Sequence, residues 1–128
     1  IFACGNALHV HDLVDFVSEE SVLAGKGAAK YIKGELNDDC HVTKTSNGNG
    51  ISYIVPQQYR LDNIEDKIAF KFRVRKPYHK VKVVIKADGQ EIKSIVKPHM
   101  LPAEMETIKL DKKVLVTCKE LTFEIKED

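Results

Sequence analysis

The sequence predicts a mostly β protein in which an antiparallel β-sandwich follows one strand and one helix. Apolar residues recur at every second position after residue 50, but at every third or fourth position between Leu13 and Lys33. These are the periods of strands and of a helix, respectively. The formal charge also changes sign, from −3 over residues 1–50 to +4 over residues 51–128. We therefore expect a strand–helix segment at 1–36, a linker at 37–50 and a β domain at 51–128.

The first 36 residues predict a strand, a tight turn and a helix. The apolar run Ile1–Cys4 stops at Gly5 and Asn6, and the helix follows with Asp12 as its expected cap. This order aims backbone N–H groups and the positive end of a helix dipole at one point, which is a common way to bind an anionic or electron-rich ligand. The chain starts abruptly on Ile1, and we interpret it as the last part of a longer protein.

One face of the predicted helix carries small residues. They are Ser21, Ala24, Gly25 and Ala28. Such a stripe lets another backbone or a flat ligand approach closely. We expect the helix, once separated from its parent domain, to fray, to fold back on the β domain or to form a homodimer with the same helix of a second copy.

The second half predicts about seven short strands, each with one apolar face. The clearest are Ile68–Val74, Val81–Ile85 and Leu121–Ile125, and shorter ones are expected at Ile51–Val55, Glu91–Lys97, Glu106–Leu110 and Val114–Thr117. Turn residues such as Lys76-Pro77 and Asp88-Gly89 separate them. Short strands at this spacing, with no helix between them, are typical of an Ig-like antiparallel β-sandwich.

Few residues indicate chemistry on their own. His9 and His11, followed by Asp12, resemble part of a metal site, but two histidines and a neighbouring carboxylate are too few for a closed zinc site. We therefore predict no metal site and expect these residues to line a loop near the helix start. Cys4 is expected to be a small core residue, and the sequence contains none of the common catalytic motifs.

The charged and cysteine residues limit the expected partners. Six basic residues occupy outward positions of two strands that we expect to be neighbours: Lys71, Arg73, Arg75, Lys80, Lys82 and Lys86. No aromatic residue lies among them, so we predict a solvated face or one docked on an acidic neighbour, and no nucleic-acid binding. No apolar run is long enough for a membrane span. Three widely spaced cysteines favour reduced thiols in the cytoplasm.

The N-terminal segment resembles a flavin-binding motif. Residues 1–6 (IFACGN) followed by a helix that ends AGKGAAKYI at 24–32 are similar to the C-terminal motif G-(I/V)-(Y/F)-A-x-G-D of FAD-dependent pyridine nucleotide–disulfide oxidoreductases. The run HVHDLVDFV at 9–17 resembles a bacterial subset labelled glycerol-3-phosphate dehydrogenase-like NAD(P)/FAD oxidoreductases. Members of that subset extend past the flavin fold, which matches the β-rich remainder.

The resemblance implies a function for this segment. In the family, the last motif residue binds the ribityl hydroxyls and the helix N-terminus faces the flavin pyrimidine edge. It implies Gly5, Asn6, Phe16 and Val17 as FAD contacts, with Asn6 in place of the usual Asp. The NAD(P)- and FAD-binding domain would lie upstream, so this chain alone is expected neither to retain FAD nor to be an enzyme. An electron-transfer partner or partner subunit is expected for the parent oxidoreductase. The alternative is a β-sandwich module that docks a partner subunit.

Overall fold

The computed structural model describes residues 1–127. It divides the chain into two compact units, which we call the N-terminal unit (residues 1–39) and the β unit (from Cys40 onwards). Each unit is described by itself below. The division lies three residues beyond the end predicted for the first segment, and residues 40–50, which the sequence assigned to a linker, belong to the β unit.

The N-terminal unit contains a single-turn 3-10 helix, Gly5–Ala7, and the helix α1, Val14–Ile32. The predicted helix is therefore confirmed. Its C-terminus is closed by the N–H of Gly34, which donates to the carbonyl of Tyr31 at 3.1 Å, and by the N–H of Glu35, which donates to the carbonyl of Lys30 at 2.9 Å. Leu13 occupies the N-cap position that was expected for Asp12, and its side chain provides no hydrogen bond.

The strand predicted at Ile1–Cys4 does not form. A strand needs a neighbour to pair with, and the described residues of this unit include no other strand. The Phe2 ring instead lies against α1, with its centroid 6.1 Å from that of Tyr31 in an edge-on arrangement. A Cβ at Gly27 would lie 3.3 Å from the Phe2 ring, so the chain's own N-terminal segment approaches α1 at this glycine, which lies outside the predicted small-residue stripe.

The described part of the β unit, residues 40–127, contains eight strands in two sheets. The strands are β1 (Thr43–Asn47), β2 (Ile51–Val55), β3 (Gln58–Tyr59), β4 (Lys67–Val74), β5 (Tyr78–Ala87), β6 (Gln90–Met100), β7 (Glu106–Asp111) and β8 (Glu120–Glu127), with a 3-10 turn at Leu61–Asn63. One sheet has the order β3-β1-β8-β5-β6 and the other β2-β4-β7. Six of the seven predicted strands are present, and the described chain is mostly β.

The strand β1 was not predicted, and its pair with β8 is the only parallel one among the described strand pairs. It runs parallel to β8, with Thr45 opposite Leu121, and antiparallel to β3. Thr43 and Thr45 are buried, and their hydroxyls donate to the carbonyls of Cys118 and Pro56, respectively. A polar segment can therefore form an inner strand because backbone carbonyls satisfy its buried hydroxyls. The expectation of a purely antiparallel sandwich is wrong at this pair.

The strand predicted at Val114–Thr117 is also wrong. The chain turns there, because the N–H of Val114 donates to the carbonyl of Asp111 at 3.0 Å and that of Leu115 to the carbonyl of Lys112 at 3.2 Å. Leu115 is nevertheless buried in the core. The apolar residues of this segment indicate burial, but not a strand.

The two sheets share one hydrophobic core. Phe70 and Phe72 on β4 and Phe123 on β8 are fully buried, and the Phe123 centroid lies 5.0 Å from Phe70 and 6.2 Å from Phe72. Val81 and Val83 on β5 are buried in the same cluster. The alternation read from the sequence therefore identifies the inward face of these strands correctly.

The predicted basic face does not exist as one surface, because β4 and β5 lie in different sheets. β4 is paired with β2 and β7, whereas β5 is paired with β6 and β8. Lys71, Arg73 and Arg75 are therefore separated from Lys80, Lys82 and Lys86. Within the described residues, no helix combines the length and the apolar character that crossing a membrane would need.

Candidate functional site

The turn at Gly5 and Asn6 is held on α1 by a buried carboxylate. Gly5 is buried with a left-handed φ of +64°, and its N–H donates to Oε2 of Glu20 at 2.8 Å. A Cβ at Gly5 would lie 3.4 Å from Cγ1 of Val17, so the turn packs on the second turn of the helix. Asn6 is exposed, and its Oδ1 accepts a hydrogen bond from the N–H of His11 at 3.3 Å.

The N-terminus of α1 is the second part of this region. Leu13 at the N-cap is extended and gives no side-chain cap, so the first turn depends on other donors and acceptors. The N–H of Phe16 already donates to the carbonyl of Leu13 at 3.2 Å. Of the four residues that the resemblance selected, Gly5 and Val17 pack together, whereas Asn6 and Phe16 are exposed. A ligand at this helix end would therefore contact the backbone N–H groups of residues that precede Phe16 in the sequence.

The loop before α1 brings three potential metal ligands together. Nε2 of His9 lies 3.1 Å from Oε1 of Glu20, and Nε2 of His11 lies 2.7 Å from Oε2 of the same carboxylate. The two imidazole centroids are 4.4 Å apart with a 58° angle between the rings. The ligand atoms of all three side chains lie within 4.8 Å of one another. We call these three residues the His–Glu cluster.

The His–Glu cluster is the most buried part of the N-terminal unit. The side chains of His9, His11 and Glu20 are 4%, 1% and 10% exposed, respectively. Burial alone would raise the pKa of Glu20, but hydrogen bonds from His11, His9 and the N–H of Gly5 outweigh burial and lower that pKa. Glu20 is therefore an ionised carboxylate at neutral pH, and it is the group on which the loop, the turn and the helix converge.

The sequence identified the two histidines but not their partner. His9 and His11 lie in a loop before the helix, as expected. Glu20 follows His11 by nine residues and belongs to a helix, where a glutamate is ordinarily solvated. The spacing along the helix could have identified Glu20. It follows Val17 by three residues and precedes Gly27 by seven, so the three lie on the same side of the helix. Val17 and Gly27 both face the N-terminal segment. A carboxylate on the packed face of a helix needs a partner.

The N-terminal unit exposes most of its large apolar side chains. Val14 is 75% exposed and Ile32 is 84% exposed, and nine others of the unit are exposed as well: Ile1, Phe2, Leu8, Val10, Leu13, Phe16, Val22, Leu23 and Tyr31. In residues 1–39, all of which the structure describes, the only buried residues are Gly5, His9 and Glu20. Internal packing thus covers little apolar surface in this unit, in contrast to the β unit.

The cysteines do not form a reactive site. Cys4, Cys40 and Cys118 form no disulfide, and only Cys118 is buried. Burial, together with the charge of Asp88, raises the pKa of the Cys118 thiol. That thiol is therefore protonated at neutral pH and is a weak nucleophile. Its backbone carbonyl, however, accepts hydrogen bonds from Nε2 of His41 at 2.6 Å and from Thr43, which fixes the start of β1.

Comparison of the chain with protein-family models, with curated proteins and with solved structures finds no match.

Proposed function

We propose that the N-terminal unit is the C-terminal segment of a flavin-binding α/β domain, and that the β unit is an appendage of the same oxidoreductase. In this proposal, residues 1–4 join the sheet of that domain and α1 covers one of its faces. The parent enzyme would pass electrons between a nicotinamide or a partner protein and a small substrate. Two sheets around one core support an Ig-like arrangement for the appendage.

The observation that carries the proposal is the exposed helix end beside the Gly5–Asn6 turn. The N-cap of α1 has no side-chain cap, and the turn packs on the second turn of the same helix. A ligand with a developing negative charge, such as the pyrimidine edge of a reduced flavin, is stabilised by the positive end of a helix dipole. The exposed carboxamide of Asn6 can accept from, or donate to, a ribityl hydroxyl.

The exposed apolar residues of the N-terminal unit support a covering domain. Eleven large apolar side chains of this unit are exposed, and they include both ends of α1. So many exposed apolar side chains in 39 residues favour an interface. A flavin-binding domain upstream would bury it and would also supply the pyrophosphate-binding loop, which contributes much of the affinity for a dinucleotide. The chain alone should therefore not retain FAD.

The test uses the full-length protein and three variants. The absorption spectrum of the full-length protein should show bound FAD. The sequence before Ile1 should contain a G-x-G-x-x-G fingerprint that follows a strand. Asn6→Leu removes the ribityl partner and should weaken FAD binding by about 1–3 kcal/mol. Asn6→Asp keeps an acceptor for the N–H of His11 and should retain FAD. Asn37→Leu changes an exposed Asn beyond the other end of α1 and is the matched control.

Two results would contradict the proposal. One is a full-length protein that stays colourless after incubation with FAD while its helix content is normal. The other is equal FAD retention in Asn6→Leu and Asn37→Leu. A sequence before Ile1 without a dinucleotide fingerprint would favour the alternative, in which the β unit is a protein-interaction module for a partner subunit.

A further inference from the structure

We propose that the His–Glu cluster binds one divalent transition-metal ion of the zinc class. His9 and His11 would each contribute Nε2, and Glu20 would contribute its carboxylate. These atoms already converge, because all the ligand atoms lie within 4.8 Å of one another. The inference concerns only side chains of the N-terminal unit and goes beyond the flavin proposal, on which it does not depend.

The geometry is close to that of a bound zinc ion. Zinc lies about 2.0–2.2 Å from nitrogen and oxygen ligands in a tetrahedral site, so that neighbouring ligand atoms are about 3.3–3.6 Å apart. The two Nε2 atoms lie 3.1 Å and 2.7 Å from the carboxylate oxygens. Admitting the ion would require these two N···O pairs to open by less than about 1 Å and any ligand pair that lies as far apart as 4.8 Å to close.

The ligand chemistry selects the class of ion. Two imidazole nitrogens and one carboxylate suit zinc, cobalt or nickel, whereas calcium and magnesium prefer sets made entirely of oxygen ligands. As metal ligands, two neutral imidazoles and one carboxylate would carry a formal charge of −1, which a divalent cation would reverse. Three protein ligands also leave a fourth tetrahedral position for water or another small ligand.

The hydrogen bond to Glu20 does not by itself account for the burial of the His11 ring. The His11 side chain is 1% exposed, yet its Nδ1 is buried without a hydrogen-bond partner in the part of the chain that the structure describes. Buried polar atoms ordinarily have a partner. A cation bound by Nε2 of both rings and by Glu20 would compensate for the burial of these side chains as a group, while Nδ1 of His11 would not itself be a ligand. The N–H of Gly5 would remain bonded to Oε2 of Glu20 and orient the carboxylate as an outer-shell donor.

The test is a titration of the 128-residue chain, without flavin, with Zn²⁺ and with Co²⁺. Zinc should bind with a stoichiometry of one ion per chain. Cobalt should give visible d–d bands of a tetrahedral site without a thiolate charge-transfer band. His9→Gln, His11→Gln and Glu20→Gln should each lower the affinity at least about tenfold, because even outer-shell changes cost about 10–100-fold. His79→Gln alters an exposed histidine on β5 and should bind like the wild type.

A second measurement keeps the result independent of folding defects in the variants. In the wild-type chain, Zn²⁺ should shift the ring NMR signals of His9 and His11 and leave those of His41, His79 and His99 in place. The proposal is overturned if the folded wild type binds no zinc, if the histidine variants bind as tightly as His79→Gln, or if a thiolate band shows that cysteines hold the ion. None of these outcomes bears on FAD in the full-length protein, so the two proposals fail separately.

Discussion

Replacing Gly50 with alanine should destabilise the β unit through a steric clash in the turn between β1 and β2. Gly50 is buried with a φ of +80°, and its carbonyl accepts the N–H of Arg75 at 2.9 Å. A Cβ at this position would lie 2.4 Å from Oη of Tyr78 and 3.0 Å from Cβ and Cγ1 of Ile125. Tyr78 and Ile125 are themselves buried, so neither can move aside freely.

The magnitude follows from two separate costs. A non-glycine residue in the left-handed region costs about 1–2 kcal/mol, and overpacking a filled site costs about 1–3 kcal/mol more. Gly89 provides a matched control, because its φ is +85° and a Cβ there would meet no atom within 4 Å. Gly89→Ala should therefore lower the free energy of unfolding by about 1–2 kcal/mol, and Gly50→Ala by about 2–5 kcal/mol.

Urea denaturation followed by near-ultraviolet circular dichroism of the tyrosines measures both variants. The midpoints should fall with little change in the slope m, since the surface exposed on unfolding stays the same. Tyr78→Phe removes the nearest clashing atom, so Gly50→Ala should cost less in that background than in the wild type. Equal destabilisation by Gly50→Ala and Gly89→Ala, or no relief by Tyr78→Phe, would refute the contact on which this reasoning rests.

Two further predictions concern the β unit. Tyr59 should titrate above the ordinary tyrosine range by tyrosinate absorbance, because burial raises its pKa to about 12 from the ordinary 10.0. The pKa of Tyr59 is higher in the folded state than in the unfolded state, so the stabilisation is fully present below about pH 10. The free energy of unfolding should then fall by about 2–3 kcal/mol between about pH 10 and about pH 12. Tyr59→Phe should lack this loss in alkaline denaturation. Deleting residues 1–39 should leave a β unit that still unfolds in a cooperative thermal transition. Deleting residues 1–47 should abolish that transition, because it removes β1, which lies between β3 and β8. If the 1–39 deletion is unfolded, the division of the chain into two units is wrong.

The strands that could be predicted are those whose burial alternates. β4, β5 and β8 place apolar residues on one face, and the structure buries Phe70, Phe72 and Phe123 at those positions. β1 could not be found in this way, because its inward residues are Thr43 and Thr45. Their hydroxyls are satisfied by carbonyls from distant segments, at Cys118 and Pro56. Local hydropathy does not contain that information.

Strand pairing was less predictable than strand position. The turn at Lys76-Pro77 suggested that β4 and β5 pair, but β5 crosses to the other sheet and pairs with β6 and β8. The Asp88-Gly89 turn was informative, because both residues have positive φ and join β5 to β6 in a two-residue hairpin. A turn sequence of that type fixes the conformation of the connection, whereas a proline turn leaves open which strand comes alongside.

The candidate site shows the same limit. His9 and His11 are close in sequence, so the sequence alone indicated that they lie near each other. The carboxylate that joins them belongs to Glu20, in the second turn of α1. Whether Glu20 faces solvent or the loop depends on how residues 1–11 fold back on α1, and Phe2 and Gly5 determine this by packing against the helix. The site can therefore be predicted only when it is known which face of α1 packs against the loop.

The two units are stabilised in different ways, and this difference bears on both proposals. The β unit buries an apolar core shared by two sheets, so it has its own source of stability. The buried residues of the N-terminal unit are Gly5, His9 and Glu20, and what joins them is hydrogen bonding rather than apolar burial. Because little apolar surface is buried within the N-terminal unit, an additional binding interaction should increase its stability most. A covering flavin domain would bury its exposed apolar side chains, whereas a metal ion would cross-link its loop to α1. The first would act on the outer surface and the second on the buried cluster, so the two can operate together.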